Sequence, residues 1–321
     1  MKRLYEYARW FGDRGGASFI IHPNCASLID AVPGNRYFIV NPPTYRRILN
    51  DWGYLDAIIA ETGTPELYYA YGIPVYSRVG RVNWFHLSNV LPIYSRDIPL
   101  SVFDRIKMRY LGWRIQRNYR HADVISAESD FSLRQIRIAD TGRLFLSVNG
   151  SDDELSDTFS DGGRLREKIA VVVGTYKYKA LWDSYRVFET LRRHEDRLTL
   201  LIIGDKRQIP SGLLRKSGVR STGLLSRSAV VEYLERAMYY ISTTRVENSY
   251  NAASEGVFLA QESYISAIPP HEEMLHGVPF DLVSVPGVSH SVIHVRQADV
   301  SRENLKTWNQ VVTEMMARAA S

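Results

Sequence analysis

Residues 247–255 read ENSYNAASE, two glutamates with seven residues between them. The run Met238–Thr244, rich in aromatic and β-branched side chains, leads in, and the small and apolar run Ala252–Ala260 leads out. A strand followed by a helix sets Glu247 on the connecting loop and Glu255 near the start of the helix. Asn248, Ser249, Tyr250 and Asn251 then fall at the helix N-terminus. Unpaired N–H groups and the helix dipole favour negative charge there, so a phosphate fits. A carboxylate beside it can grip a ribose diol or a sugar hydroxyl. The spacing by itself is also met by two solvated glutamates, and the surrounding sequence decides between the two readings.

ENSYNAASEG resembles the E-x7-E motif of family 4 glycosyltransferases, retaining enzymes of the GT-B fold that use nucleotide-sugar donors. Three further stretches are similar to that family. HADVISAESDFS (121–132) looks like the end of its first domain, LFLSVNGSDD (144–153) like the strand and turn before the interdomain linker, and SAIPPHEEML (266–275) like the segment after the second glutamate's helix. The resemblance covers roughly residues 80–275. It implies an α/β chain with two Rossmann-like domains facing each other across a cleft. A first domain over 1–150 would serve the acceptor and a second over 151–321 the donor, with the last helix, 301–319, crossing back. The chain departs from the family at its start, which reads as a helix where a strand and glycine-rich loop are usual. Gly15 and Gly16 come too late to be that loop, so the first domain is expected to be reduced there.

Bulk properties agree with this outline. A chain of 321 residues exceeds a typical single core. The single cysteine, Cys25, excludes an intrachain disulfide and fits a reducing, cytoplasmic setting. The opening MKRLYEYARWFGDRGG lacks the apolar stretch of a secretory signal, and no window is apolar enough to span a membrane. The net charge of +5 is local: residues 104–121 hold six cations against Asp104. Ile106, Met108, Tyr110, Leu111, Trp113, Ile115 and Tyr119 interleave with those cations, a mixture suited to an anionic membrane surface on its inner face. A surface helix with solvated arginines is the other reading. No nucleic-acid-binding module is recognisable.

In the first half, Ser18–His22, Tyr37–Val40, Ala57–Ala60, Val82–His86, Val124–Ala127 and Leu144–Val148 read as strands. Lys2–Phe11, Tyr45–Asn50, Val102–Tyr119 and Asp130–Ile138 read as helices, and the polar stretch Gly150–Gly163 as the linker. The second half shows clearer βαβ winding. Ile169–Val173, Leu198–Ile203, Val219–Thr222 and Met238–Thr244 are its strands, separated by helices at Trp182–His194 and Ser226–Met238.

The resemblance implies transfer without a metal or other cofactor, cations and backbone amides replacing Mg²⁺. The cations are expected in VGTYKYKALWD (173–183). Thr175, just after Gly174, stands where the family has an arginine. Lys179 lies near the family lysine, and Lys177 is available to stand in for the arginine. A lysine lacks arginine's bidentate fork, so the exchange is not neutral. Glu255 is expected on the ribose diol and Glu247 beside the donor sugar. Asn248, Ser249, Tyr250 and Asn251 would meet sugar and phosphate, while Asp205, Gly223 and Leu224 would lie near the base. His86, ending VNWFH, would face the sugar from the first domain. His271, Glu272 and Glu273 mimic metal ligands, but adjacent helical residues do not face each other. The resulting expectation is a retaining hexosyltransferase acting on a glycan or lipid-linked acceptor in polysaccharide assembly. Two alternatives stay open: a GT-B epimerase or phosphorylase, and a non-catalytic partner subunit, which the threonine at 175 favours.

Overall fold

The computed structural model describes residues 2–321 except 44–52, 73, 74, 76, 95–97, 99, 151–165, 250 and 302–305; of Asn251 it describes the backbone only. The expected helix at 45–50, the linker from 151 onward and Tyr250 lie outside the described residues.

The chain opens with helix α1 (Lys2–Gly12). Strands β1 (Ser18–Ile21) and β2 (Arg36–Ile39) pair in parallel as a separate ribbon, with the short α2 (Ser27–Ala31) between them. After α3 (Gly53–Thr62) come β3 (Leu67–Tyr71), β4 (Val82–Leu87), β5 (Val124–Ala127) and β6 (Leu144–Leu146), a four-stranded parallel sheet in chain order. Helix α4 (Val102–Asn118) crosses from β4 to β5, and the short α5 (Asp130–Arg134) follows β5.

The second half builds one seven-stranded sheet. Its parallel part comprises β7 (Glu167–Val173), β8 (Thr199–Ile203), β9 (Val219–Gly223), β10 (Ala237–Ser242) and β11 (Glu262–Ser266). Between them run α6 (Leu181–Arg192), α7 (Ser211–Leu214), α8 (Arg227–Arg236) and α9 (Asn251–Leu259). Then α10 (Pro269–Met274) leads to β12 (Asp281–Val283) and β13 (Val292–Arg296), which close one edge antiparallel. The spatial order is β12-β13-β11-β10-β7-β8-β9.

Pleating explains why β7 reads as an unbroken apolar run. Ala170 and Val172 point to the face covered by Val187 and Phe188 of α6, and Val171 to the face covered by Leu234 of α8 and Val257 of α9. Both faces are dry, as a parallel sheet requires. The last helix, α11 (Trp308–Ala320), starts in a capping box of Thr307 and Gln310. Its Trp308, Val311, Val312 and Met315 pack with Tyr7 of α1, Trp84 of β4 and Val124 of β5.

Two sequence expectations need correction. Ala57–Ala60 is not a strand but the middle of α3; a short apolar run suits either element, and periodicity alone does not choose. The strand of that region is LYYAY (67–71): Tyr68 packs on the face of Phe85 and Ile125, while Tyr69 and Tyr71 lie on the opposite face. Helix α5 stops at Arg134 rather than reaching Ile138.

Candidate functional site

The second sheet grows outward in opposite directions from β7: first to β8 and β9, then to β10 and β11. The crevice outside the carboxyl ends of β7 and β10 is therefore its topological switch point, where open α/β sheets bind ligands. The loop after β7 carries Gly174, Thr175, Lys177 and Lys179, and the loop after β10 carries Glu247, Asn248 and Ser249.

Lys179 and Glu247 meet there. The Nζ of Lys179 forms a hydrogen-bonded ion pair with Oε1 of Glu247, with side-chain exposures of 10% and 18%. Gly174 has φ +94°, and a Cβ on it would stand 3.2 Å from Lys179 Cε. Glycine thus supplies both the left-handed turn and the room for the lysine stem. The loop is tied to β10 from below. Thr243 Oγ1 shares a hydrogen bond with Ser184 Oγ at 2.7 Å and donates to the Ala180 carbonyl at 3.0 Å, while Arg245 N donates to the Tyr178 carbonyl at 2.9 Å. Thr175 is buried, and its hydroxyl donates to Gln208 Oε1 at 3.3 Å. Lys177 is exposed.

Glu255, on α9, is 8% exposed. Its Oε1 accepts from Arg227 Nη1 at 2.7 Å and lies 3.6 Å from Lys2 Nζ. The two glutamates therefore face different cations, Lys179 for one and Arg227 with Lys2 for the other. Farther out, Gly204 N donates to the Gly223 carbonyl at 3.0 Å, joining the ends of β8 and β9. Asp205 accepts from the backbone and guanidinium of Arg207 at 2.7 to 3.2 Å. Hydrogen bonds from Arg207 hold its carboxyl below the usual range. Leu224 is 79% exposed.

The first unit presents the carboxyl ends of β4 and β5 to this crevice. Asn248 Nδ2 donates to Glu128 Oε2 at 2.7 Å and to the Leu87 carbonyl at 3.1 Å. Glu128 is buried beside Arg3, whose Nε is 3.7 Å away, and beside His86 Nε2 at 3.4 Å. Here an expectation is corrected: His86 does not face the crevice. Its ring is fully buried, stacked between Tyr71 at 5.4 Å and Tyr69 at 5.9 Å, with Nδ1 2.8 Å from Ser126 Oγ. Glu128 is an acceptor-only carboxylate, so His86 Nε2 carries the proton and donates to it; in the neutral ring Nδ1 then accepts from the Ser126 hydroxyl, whose oxygen accepts from Trp84 Nε1. Burial, reinforced by the Arg3 charge, lowers the His86 pKa to about 4, so the ring is neutral.

A second bridge lies beside the first. Glu273 of α10 accepts from the backbone N–H groups of Asp130 at 2.8 Å and Phe131 at 2.7 Å, capping α5 from the opposite unit. His271 is fully buried with Nδ1 on the Ser266 carbonyl at 2.8 Å, so it and Glu273 serve separate structural roles. Among the described residues, no group of three or more His, Cys, Asp or Glu side chains is placed to hold a metal.

No family model matches the chain, and no curated protein matches it in sequence. Solved structures do match over both halves. Anabaena HepE in complex with UDP and glucose aligns with TM-score 0.63 at 12% identity, covering 100% of this chain and 95% of its own. HepE with UDP-glucose aligns at 0.58, with 12% identity, covering 99% and 87%. The UDP-forming α,α-trehalose-phosphate synthase of Burkholderia xenovorans aligns at 0.57, with 14% identity, covering 88% and 80%. The chain has the GT-B fold.

Within this GT-B architecture several site residues escaped the sequence reading. Arg227 and Lys2 pair with Glu255, and Arg3 with Glu128 holds the inner wall. Each partner is remote in sequence, and a lone arginine or lysine carries no local signal. The run HADVISAESD did contain Glu128 at the end of β5. A carboxylate at a parallel strand's carboxyl end was the one signal that could have been used.

Proposed function

We propose that this chain is a glycosyltransferase that moves a hexose from a nucleotide-diphosphate sugar to a glycan or lipid-linked acceptor, with retention at the anomeric carbon and without a metal. The observation that carries the reading is the Lys179–Glu247 pair at the β7/β10 switch point. In it a cation is already in place for a diphosphate, with a carboxylate beside it for the sugar. As the sugar C1–O bond breaks, its electron pair goes to the diphosphate oxygen, and the Lys179 ammonium with the amides at the start of α9 offsets that charge. Glu247, released from Lys179 by the incoming phosphate, turns to a sugar hydroxyl or to the positive charge on the ring. Glu255 takes the ribose diol, with Arg227 and Lys2 steadying its carboxylate. Gly223, Leu224 and the Asp205 turn border the base. Lys177, exposed at the rim, adds to the field that attracts the donor. His86 acts from within, orienting Glu128 and through it Asn248. The UDP and UDP-glucose bound by HepE support a uridine nucleotide as the first donor to try.

The same reading extends to a surface. Val102, Phe103, Ile106, Tyr110 and Trp113 of α4 are exposed at helical spacing among the segment's cations, a combination that suits the inner face of an anionic membrane. Among the described residues no helix is long and apolar enough to cross a membrane.

Glu247→Gln and Glu255→Gln test the site. Turnover of a nucleotide-sugar panel is expected to fall about a hundredfold or more in the first, by the usual cost of one lost electrostatic partner. The second is expected to weaken UDP binding. Undiminished turnover in both variants removes the proposed site. Product analysis with labelled donor separates transfer from epimerisation, and calorimetry that detects no UDP, GDP or dTDP binding favours the partner-subunit alternative.

A further inference from the structure

A cavity of 420 Å³ opens between α3 and the last turns of α4, far from the crevice. Its position follows from the strand directions. Arg78 and His121, on its wall, come just before β4 and β5, whereas His86 and Glu128 mark the other ends of those strands. Cavity and cleft therefore lie at opposite ends of the first sheet.

The lining is strongly cationic. Among the described residues of the lining, Arg78, Arg114, Arg117 and Arg120 contribute guanidinium groups and Asp56 a carboxylate. Arg78 is matched outside the cavity by Asp123, at 2.7 Å. Arg114 is only 7% exposed. Arg117 lies over the Trp113 ring at 5.4 Å, and Arg120 Nε donates to His121 Nε2 at 3.1 Å. Guanidinium groups brought to one concavity repel one another, and an anion seated among them relieves that repulsion. The His121 pKa is pushed down, first by burial and then by the charges of Arg120 and Arg78.

We propose that this cavity is a second anion site, which takes a phosphate or diphosphate group and does not overlap the donor cleft. The chemistry selects the ligand. Guanidinium forks match phosphate oxygens two at a time, and the flat face of Trp113 gives one wall an apolar surface. The volume suits a small phosphorylated group. The exposed stripe of Phe103, Ile106, Tyr110 and Trp113 runs along α4 to the cavity, and Trp113 belongs to both. A phosphorylated amphiphile would lay its chain on that stripe and its headgroup in the cavity; a soluble phosphate ester offers the same headgroup alone.

Inorganic pyrophosphate is the probe, titrated into the full chain with UDP present to fill the cleft. The readouts are heat and the NMR titration of His121. Binding is expected to raise the His121 pKa, because the anion offsets the neighbouring arginines. Arg117→Gln combined with Arg120→Gln is expected to weaken pyrophosphate about tenfold or more while leaving UDP binding unchanged. Equal pyrophosphate affinity in the folded double variant, or an unmoved His121, overturns the proposal. If the chain does not bind UDP, the donor reading fails, but the His121 shift still reports on this cavity. Flotation with phosphatidylglycerol and phosphatidylcholine vesicles separates the sources. Anionic-vesicle binding that falls in the double variant and is competed by pyrophosphate assigns a lipid headgroup. Vesicle binding that is unchanged, beside lost pyrophosphate binding, assigns a soluble ligand.

Discussion

Asn248 is the residue on which the two halves meet. Its side-chain amide spans 120 residues of sequence to reach Glu128, and Glu128 gathers Arg3 and His86 behind it. Burial would raise the Glu128 pKa, but the His86 hydrogen bond and the Arg3 charge outweigh it and hold the carboxyl below its usual range. This buried set makes the protein acid-sensitive. His86 and His271 are both lowered from 6.5 to about 4, chiefly by burial. Between those values the unfolded chain binds protons that the folded chain does not, so stability is lost as pH falls from 6.5 toward 4. Each histidine contributes roughly 3 kcal/mol to that loss at full effect. Glu128 adds to it in the same direction below its unfolded pKa. Urea midpoints at pH 7 and pH 4.5 should differ clearly, and part of the difference should vanish in His86→Gln. Equal midpoints would mean that these histidines are not held neutral.

At the scale of elements, helix α9 matters most, because it carries Glu255. It lies directly on β10: a Cβ placed on Gly256 would come within 2.1 Å of the Tyr240 ring. Tyr240 is itself fully buried and cannot move aside. Gly256→Ala should therefore cost about 1–3 kcal/mol by overpacking and lift the start of α9 off the sheet. Because Glu255 is the preceding residue, UDP binding should weaken along with thermal stability. A variant that melts like the parent and binds UDP as tightly would show that α9 does not need this close approach. The contrast with Gly174 is instructive. There glycine serves the turn and the lysine stem; here it serves the distance between a helix and a ring.

The whole molecule is held together by its two ends. Helix α11 packs across α1 and the first sheet, and Trp308 lies edge-on to Tyr7 at 6.3 Å while the Arg3 guanidinium sits 5.5 Å from its ring. Helix α1 in turn sends Lys2 toward Glu255. Trp308→Ala is expected to cost about 3–5 kcal/mol, the usual range for emptying a buried aromatic site. It should also loosen Arg3, so calorimetry with UDP should show weaker binding beside a lower Tm. Unchanged UDP affinity in the destabilised variant would separate the end-to-end packing from the site. A cluster of Val90, Ile98 and Val246, with the cap from Glu273 onto α5, ties the two halves at a second place.

Local order was legible in the amino-acid sequence because local order depends on near neighbours. The βαβ winding of the second half, the loop position of Glu247 and the helical position of Glu255 follow from periodicity and from the residues that start and stop elements. The same reasoning failed at Ala57–Ala60, where the run is too short for its period to speak. The partners were another matter. Lys179 lies 68 residues from Glu247, and Arg3 lies 144 from Ser147. Nothing near any of them in sequence marks the pairing. Only the stacking of sheets and helices brings such groups within hydrogen-bonding distance, and the same packing buries His86 and closes four arginines around a cavity at the far end of the sheet.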